Sequence, residues 1–575
     1  MLPPLRAPLR ALARAFVTAT RGAPRAASPG RAPATHTAHA SARALRRYTA
    51  LALVPLLAAT ACGAQSRAAP SEPLDGGTLT FALAADPACV DPHQVGNNQG
   101  LNVGRQVVDS LTDQDPETGE IVPWLAESWE TDEDASSYTF RLREGASFSD
   151  GVPLDAEAVR ANFDAVVELG ALSGLGSSYL GEYEETEIVD EYTATVHFSA
   201  PNTQFLQATS TMSLGLVSPA SLASTTPEER CQGEFAGSGP FTVEDYTPDQ
   251  HVILTGRDDY DQASSRSSHT GPTRLDGVEF RIMPEAGVRT GALLSGQVDA
   301  IADIPPQDEA RFADTDFTVL TRPNPGVPFN LHPNLASPAL ADAPEVIEAV
   351  QIGIDRQEVV DTVLSDRYPV ATGPLAAVTD HASDLGDRLA HDPAAAAAIL
   401  EDAGWVEGGD GIRERDGERL EVDVVFAALF NGNENALELI QQQLRAIGID
   451  LELRLLTPAE QTAVVDAGAY DFDWYNTTRT DPDILRTLFS TRYTNRTNLA
   501  EDDTLDALLD DQAAASDPEA RAALVHDAQA HIIENGYIIP VFEFAQVHGV
   551  APHVHGIAFE ASSRLSLYEA WVEAD

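Results

Sequence analysis

The chain has 575 residues, more than one hydrophobic core needs, so two or three domains are expected. Hydrophobic residues make up 43% and charged residues 22%, which suits a soluble globular body and argues against collagen-like, coiled-coil or low-complexity architecture. A net charge of −53, with no lysine in the chain, makes nucleic acid and anionic lipid headgroups poor partners.

The charge is uneven: the first 61 residues hold nine arginines and no acid, so all 89 acids follow them. Arg46 and Arg47 form a positive n-region, and Tyr48 to Ala59 form an apolar stretch too short to span a bilayer comfortably. Small residues and Cys62 follow, the layout of a secretory signal. Ala59-Thr60-Ala61-Cys62 resembles a bacterial lipobox, in which a peptidase needs small residues before the cut and the cysteine thiol takes a diacylglyceryl group. Ala59 stands where leucine is usual. An ordinary signal cut nearby, with Cys62 incidental, is the other reading. The 45 residues before Arg46 read as an extension from a start codon placed too far upstream. Residues 1–61 are therefore expected to be removed, and residues 62–75 to form a flexible, lipid-anchored tether. No later segment approaches 18 apolar residues, so no membrane span is expected. In an exported protein the remaining cysteines, Cys89 and Cys231, are a disulfide candidate.

The body then alternates strand and helix signals. Gly76-Gly77 precede a buried strand, TLTFALA, and YTFRLR at 138–143 alternates with period two. Ser149-Asp150-Gly151 make a turn, and Asp155 caps a helix over AEAVRANFDAVVEL. Residues 286–295 fit a helix ended by Gly296 and followed by the strand VDAIA. Residues 346–364 read as one periodic helix. Asp392-Pro393 open a helix that Gly404 ends. A hairpin turns at Asp416-Gly417. Residues 420–427, 434–447 and 449–455 form a βαβ unit. The pattern is α/β throughout, without internal repeats.

Catalytic signatures are absent: no HExxH, CxxC or GxSxG occurs, and a P-loop is impossible without lysine. His553 and His555 share a strand face, as do Asp471 and Asp473, but neither pair rises above what 14 histidines and 89 acids produce by coincidence. No enzyme activity, cofactor or metal is expected.

Several blocks carry a resemblance. These are GGTLTFALAADPACVDPH, VVDSLTDQDPETGEIVPWLAESWE with Pro123, Trp124, Leu125 and Trp129, and SSYTFRLREGASFSDGVPLDAEAVRANFD, the most specific. GSGPFTVEDY, the segment from GPTRLDG to GQVDAI, and AVQIGIDRQEVVDTVLSDRYPVATGPL follow in order. Over residues 76–560 the chain resembles the extracellular solute-binding proteins that serve peptide, nickel and opine ABC importers. The resemblance implies a two-lobed, periplasmic-binding-protein-like α/β fold with an extra domain and a ligand cleft between lobes. Domain I would comprise 76–97, 228–325 and 541–575, domain II 98–227, and domain III 326–540. Cys89 and Cys231 would then sit near one hinge, where a bond would restrict the unfolded chain by on the order of several kcal/mol. The implied function is capture of a small solute, peptide first, by lobe closure and its delivery to a membrane permease and ATPase. The protein would act as a monomer anchored through Cys62 to the outer face of the cytoplasmic membrane. An opine, amine, sugar or metal chelate as ligand, or a sensor role, are the alternatives.

Site residues follow from the resemblance. Peptide binders place an aspartate after a pocket tryptophan to pair with the α-amino group. Here Trp474 matches the tryptophan and Asp481-Pro482-Asp483 the following DPD, but the aspartate position falls on Thr477 or Thr478. The amine clamp is missing unless Asp481 or Asp483 replaces it. Arg479 either grips a carboxylate through two hydrogen bonds or pairs with Asp481 or Asp483. Trp474 and Tyr475 are aromatic walls or, for Trp474, core packing. Asn97 and Asn98, where the chain leaves domain I, are ligand contacts or loop caps. Asn330 is a ligand contact or a cap where domain III begins, and His332 a contact or a structural histidine.

Overall fold

The computed structural model describes residues 73–427, 430 and 432–573. Its framework is three sheets. The first has seven strands in the order Thr318–Pro323, Ala545–Val550, Ala300–Ile301, Thr78–Leu83, Gly277–Ile282, His251–Gly256, Phe241–Thr247. Thr78–Leu83 lies at its centre, parallel to both neighbours. Leu79, Phe81, Ala82 and Leu83 are fully buried, so both faces of this strand are covered, as its unbroken apolar run requires.

The second sheet is antiparallel, in the order Ala126–Thr131, Ser137–Leu142, Thr193–Phe198, Tyr183–Asp190. Tyr138, Phe140 and Leu142 point inward while Ser137, Thr139 and Arg141 do not, the period-two pattern of a half-buried strand. The helix Ala156–Leu169 packs on it, its first turn capped by the Asp155 carboxylate, which accepts from the Ala158 amide at 3.0 Å. The intervening core is aromatic: Phe205 meets Phe198 edge-on at 4.7 Å and Tyr138 at 5.1 Å.

The third sheet has five strands, Asp450–Leu456, Glu421–Ala427, Phe472–Thr478, Gly326–Pro333, Ile539–Phe542. Glu421–Ala427 and Asp450–Leu456 run parallel, joined by the helix Asn433–Ala446. The preceding hairpin turns at Asp416 and Gly417, with φ of 57° and 87°, the left-handed pair that a two-residue connection of this hand needs. The single helix expected over 346–364 is two, Pro344–Gly353 and Arg356–Val363. The break has a local cause. Ile354 is extended, and the Asp355 carboxylate caps the second helix by accepting from the Glu358 amide at 2.9 Å.

Two strand pairs cross between the first and third sheets. Thr318–Pro323 continues into Gly326–Pro333, and Ile539–Phe542 continues into Ala545–Val550. The crossings are tied where they pass, with the Asn324 amide donating to the Phe544 carbonyl at 2.7 Å. They divide the molecule into two lobes, one holding the first two sheets and the other the third. A disulfide joins Cys89 to Cys231 in the first lobe, beside a buried Asp91–Arg230 ion pair of 2.9 Å. Cys62 lies outside the described residues. Among the described residues no helix is long and apolar enough to cross a membrane.

Candidate functional site: the cleft between the lobes

The cleft side of the second lobe is built by the adjacent antiparallel strands Phe472–Thr478 and Gly326–Pro333. Their register shifts between Val327 and Asn330, and the Asn330 amide stitches the irregularity by donating to the Pro328 and Tyr475 carbonyls, both at 2.9 Å. Asn330 is fully buried, and its side-chain N–H groups are spent on this strand irregularity.

Trp474 is also core. It is 1% exposed, stacks on Phe329 at 5.4 Å and donates its indole N–H to Asn433 at 3.0 Å. The next residue points the other way, as strand geometry demands, so Tyr475 faces a polar cluster. Its hydroxyl meets His332 Nδ1 at 3.0 Å, His332 Nε2 meets the Thr497 hydroxyl at 2.9 Å, and Arg496 lies 3.9 Å over its ring. Arg496 in turn pairs with Asp473. Burial, helped by the Arg496 charge, holds the His332 pKa well below the usual imidazole range, so this histidine is neutral. His332 supports Tyr475 from behind and does not line open space.

The loop after Phe472–Thr478 decides the acidic-clamp question. Asp481 accepts two hydrogen bonds from Arg521, at 2.8 and 2.6 Å, and both groups are buried. Asp483 is held by Arg486 at 2.8 and 2.9 Å and accepts from Gln204 of the other lobe at 2.8 Å. Neither carboxylate is free for a ligand's ammonium group. Arg479 pairs with neither. Its side chain crosses the cleft, lying 4.6 Å over the Tyr179 ring and donating to the Ser178 hydroxyl. Ser178 and Tyr179 end the short helix Gly174–Tyr179 of the first lobe.

On the first lobe, Asn97 caps the helix Asn98–Val107: its side chain accepts from the Gly100 amide at 2.9 Å and donates to the Pro87 carbonyl at 2.8 Å. That is a capping role, and the ligand-contact reading of Asn97 gives way to it. Asn98 turns inward and accepts from Arg564 at 2.5 Å. Arg564 stands on the tight loop between Ala558–Phe559 and Leu565–Ser566, anchored when the Leu565 amide donates to Asn102 at 3.0 Å. Tyr179, Ser178, Arg496 and Arg564 had no signal in sequence: each is one common residue in a loop or short helix, and only the fold assembles them.

A cavity of about 180 Å³ opens between the lobes beside Ser178, lined also by Glu182, Asn202, Gln204, Arg486 and Tyr493. A second, of about 520 Å³, lies within the first lobe and along its edge toward the crossings, among Arg105, Trp124, Tyr260, Arg322, Glu560 and Tyr568. His553 pairs with Asp299 and His555 with Glu573, and among the described residues no group of three or more His, Cys, Asp or Glu could hold a metal ion.

Residues 120–498 match the family described as bacterial extracellular solute-binding proteins, family 5 middle. The chain is 24% identical over 500 residues to the nickel-binding periplasmic protein of Escherichia coli (strain K12), covering 84% of this chain and 92% of that one. Its fold is similar to that of NikA from Brucella suis in complex with Fe(III)-EDTA, with a TM-score of 0.75, 24% identity and coverage of 86% and 100%. It is also similar to the oligopeptide-binding protein AppA of Bacillus subtilis in complex with a nonapeptide, with a TM-score of 0.73, 18% identity and coverage of 88% and 100%. With two lobes around a cleft and a family match over most of its length, the chain belongs to the family 5 bacterial extracellular solute-binding proteins of ABC importers.

Proposed function

We propose that this protein is the capture component of an importer: it closes its lobes on a small solute outside the cell and hands the closed complex to a membrane permease. The observation that carries this reading is the double strand crossing at 323–326 and 542–545, with side chains of both lobes meeting across the cleft at Arg479–Tyr179 and Gln204–Asp483. Two thin connections permit hinge motion, and a ligand touching both lobes favours the closed state by its differential affinity for it. Cys62 would carry the lipid anchor, keeping the protein near its permease and raising the effective concentration there. Domain I would comprise 76–97, 228–325 and 541–575, domain II 98–227 and domain III 326–540. The strands of the three sheets fall in these segments, apart from the last two residues of Ile539–Phe542, which lie past the domain III bound.

Peptide is the leading ligand class, since the fold is shared with an oligopeptide-binding protein that holds a nonapeptide. A second reading, a non-peptide solute, is favoured by one observation: Asp481 and Asp483 are both engaged by arginines, which leaves no clamp for a free amino terminus. Native mass spectrometry of the exported chain, purified without denaturant, tests both. A ladder of peptide masses supports the first ligand class. A single non-peptide mass supports the second. A chain that carries no solute, and whose radius of gyration in X-ray scattering stays unchanged with every peptide and small solute offered, counts against capture.

A further inference from the structure

We infer that Thr203 and Gln204 of the first lobe form a closure latch, which holds the second lobe through two of its acceptors independently of the solute. The latch rests on the capture reading and adds to it a fixed bias on the closure step.

The latch is a loop tip braced on its own lobe. Residues 199–204 follow the strand Thr193–Phe198. Asn202 is 3% exposed and fixed three times. Its amide donates to the Ala135 carbonyl, its side chain donates to the Tyr179 carbonyl, and its own carbonyl accepts from the Tyr138 hydroxyl, each at 2.9 Å. The next two residues send their donors across the cleft. The Thr203 amide and hydroxyl both donate to the Ala513 carbonyl, at 3.1 and 2.6 Å. Ala513 lies in the last turn of the helix Asp503–Ala514 of the second lobe, where carbonyls have no partner within the helix and carry the negative end of its dipole. Gln204 donates to Asp483 at 2.8 Å, a carboxylate that Arg486 and Gln512 hold from the second lobe itself.

The loop and its acceptors belong to different lobes, so these bonds exist only while the lobes are together. Gln204, Asp483 and Ala513 are 6%, 1% and 2% exposed, so the seam is dry when closed. Parting the lobes exchanges each bond for water, and the net difference is what favours closure. The bond to Asp483 is the stronger, since its acceptor is a carboxylate. Thr203 lines neither cavity, and Gln204, which borders the smaller one, turns its amide onto Asp483. Closure energy of this kind does not depend on the solute's chemistry. It raises the population of the closed form, and with it the apparent affinity, by the same factor for every solute.

Hydrogen exchange of the exported chain, read residue by residue in the mass spectrometer after electron-transfer fragmentation, tests the latch without a ligand. The Thr203 amide bonds across the cleft, while the Phe205 amide bonds within the first lobe, to the Asn202 carbonyl at 3.0 Å. Gln204→Leu removes one latch bond and Thr203→Val another, and both keep the amide at position 203. Protection of that amide should fall about 10-fold in Gln204→Leu and about 3-fold in Thr203→Val, with protection at Phe205 as in wild type. Gln204→Glu, which sets a like charge against Asp483, should lower it furthest and raise the radius of gyration in X-ray scattering. Unchanged protection at position 203 in Gln204→Leu and Gln204→Glu overturns the latch, because the lobes then stay together without it. An equal fall at 203 and Phe205 overturns it too, as that marks local unfolding of the loop and not parting of the lobes. Neither result touches the capture reading, which fails instead on a chain that carries no solute and never changes its radius of gyration when solutes are offered.

Discussion

Glu543, in the second crossing between lobes, shows how much a single buried carboxyl can do. It is 2% exposed; one oxygen accepts from the Ala377 amide at 2.8 Å and the other has no partner among the described residues. Burial pushes its pKa up to about 7 from an ordinary value of 4.5, with the single amide bond opposing. The fold therefore prefers the protonated form. Between the two values the folded chain holds a proton that the unfolded chain has released. The residue's contribution to stability is full below about 4.5 and is lost as pH rises through about 7. Glu543→Gln keeps the shape and removes the charge. It should be more stable than wild type at pH 8, by about 2–3 kcal/mol, and nearly equal at pH 5. Urea unfolding at the two pH values measures the gap, and a gap of the same size at both would sink the argument. Asp109, also pushed up to about 7 by burial, keeps a residual slope in the same direction in the variant.

Among the elements, the crossing at Gly326 makes a sharper demand. Its φ is +104°, and a Cβ there would come within 2.3 Å of the Thr477 carbonyl oxygen and 2.5 Å of the Arg479 amide nitrogen. The backbone of one strand presses on its neighbour at the point where the chain enters the second lobe, and both partners are main chain that cannot rotate away. Gly326→Ala should cost at least about 2 kcal/mol by thermal or urea unfolding, against a near-neutral effect for Gly287→Ala, where nothing lies within 4 Å. Equal costs for the two would mean that the crossing yields. Nothing in the sequence marks Gly326, because its neighbour Thr477 lies 151 positions away. What was legible there was local. The Asp155 cap, the Asp416-Gly417 turn, the 420–455 βαβ unit and the apolar run of Thr78–Leu83 each depend on residues a few positions apart. The break at Asp355 is local too, but aspartate reads equally as a helix-surface residue and as a cap, and the periodicity on both sides concealed it. The site was less legible. Trp474 and Tyr475 are neighbours of similar character, and only the register of the strand says which one is core. In sequence Arg479 reads equally as a ligand contact and as the partner of Asp481 or Asp483, but Asp481 finds Arg521 40 positions on, a pairing that no local pattern announces.

At the scale of the whole molecule, charge is the dominant unbalanced quantity: 89 acids against 36 basic residues over the chain. Most of the acids face solvent without a cation beside them, and their mutual repulsion opposes the compact state. Two opposing salt effects follow. Screening weakens this repulsion, which stabilises the fold, and it also weakens attractive ion pairs, which destabilises it. The pairs that matter most, Asp91–Arg230, Asp473–Arg496 and Asp481–Arg521, have carboxylates at 6% exposure or less and are little screened. The exposed pairs, such as Arg445–Asp450 with the arginine 54% exposed, are worth little at any salt. Repulsion should therefore win. Between 10 mM and 0.5 M sodium chloride the screening length falls from about 30 Å to a few ångströms. The melting temperature is expected to rise by about 3–8 °C over that range, with most of the gain below 0.2 M, where the length crosses the spacing between surface acids. Scanning calorimetry across a salt series at pH 7.5, where Arg, Asp and Glu side chains on the surface are all charged, measures it. A melting temperature that falls steadily with salt would mean that attractive pairs outweigh the excess of negative charge, and that the acidity is compensated locally.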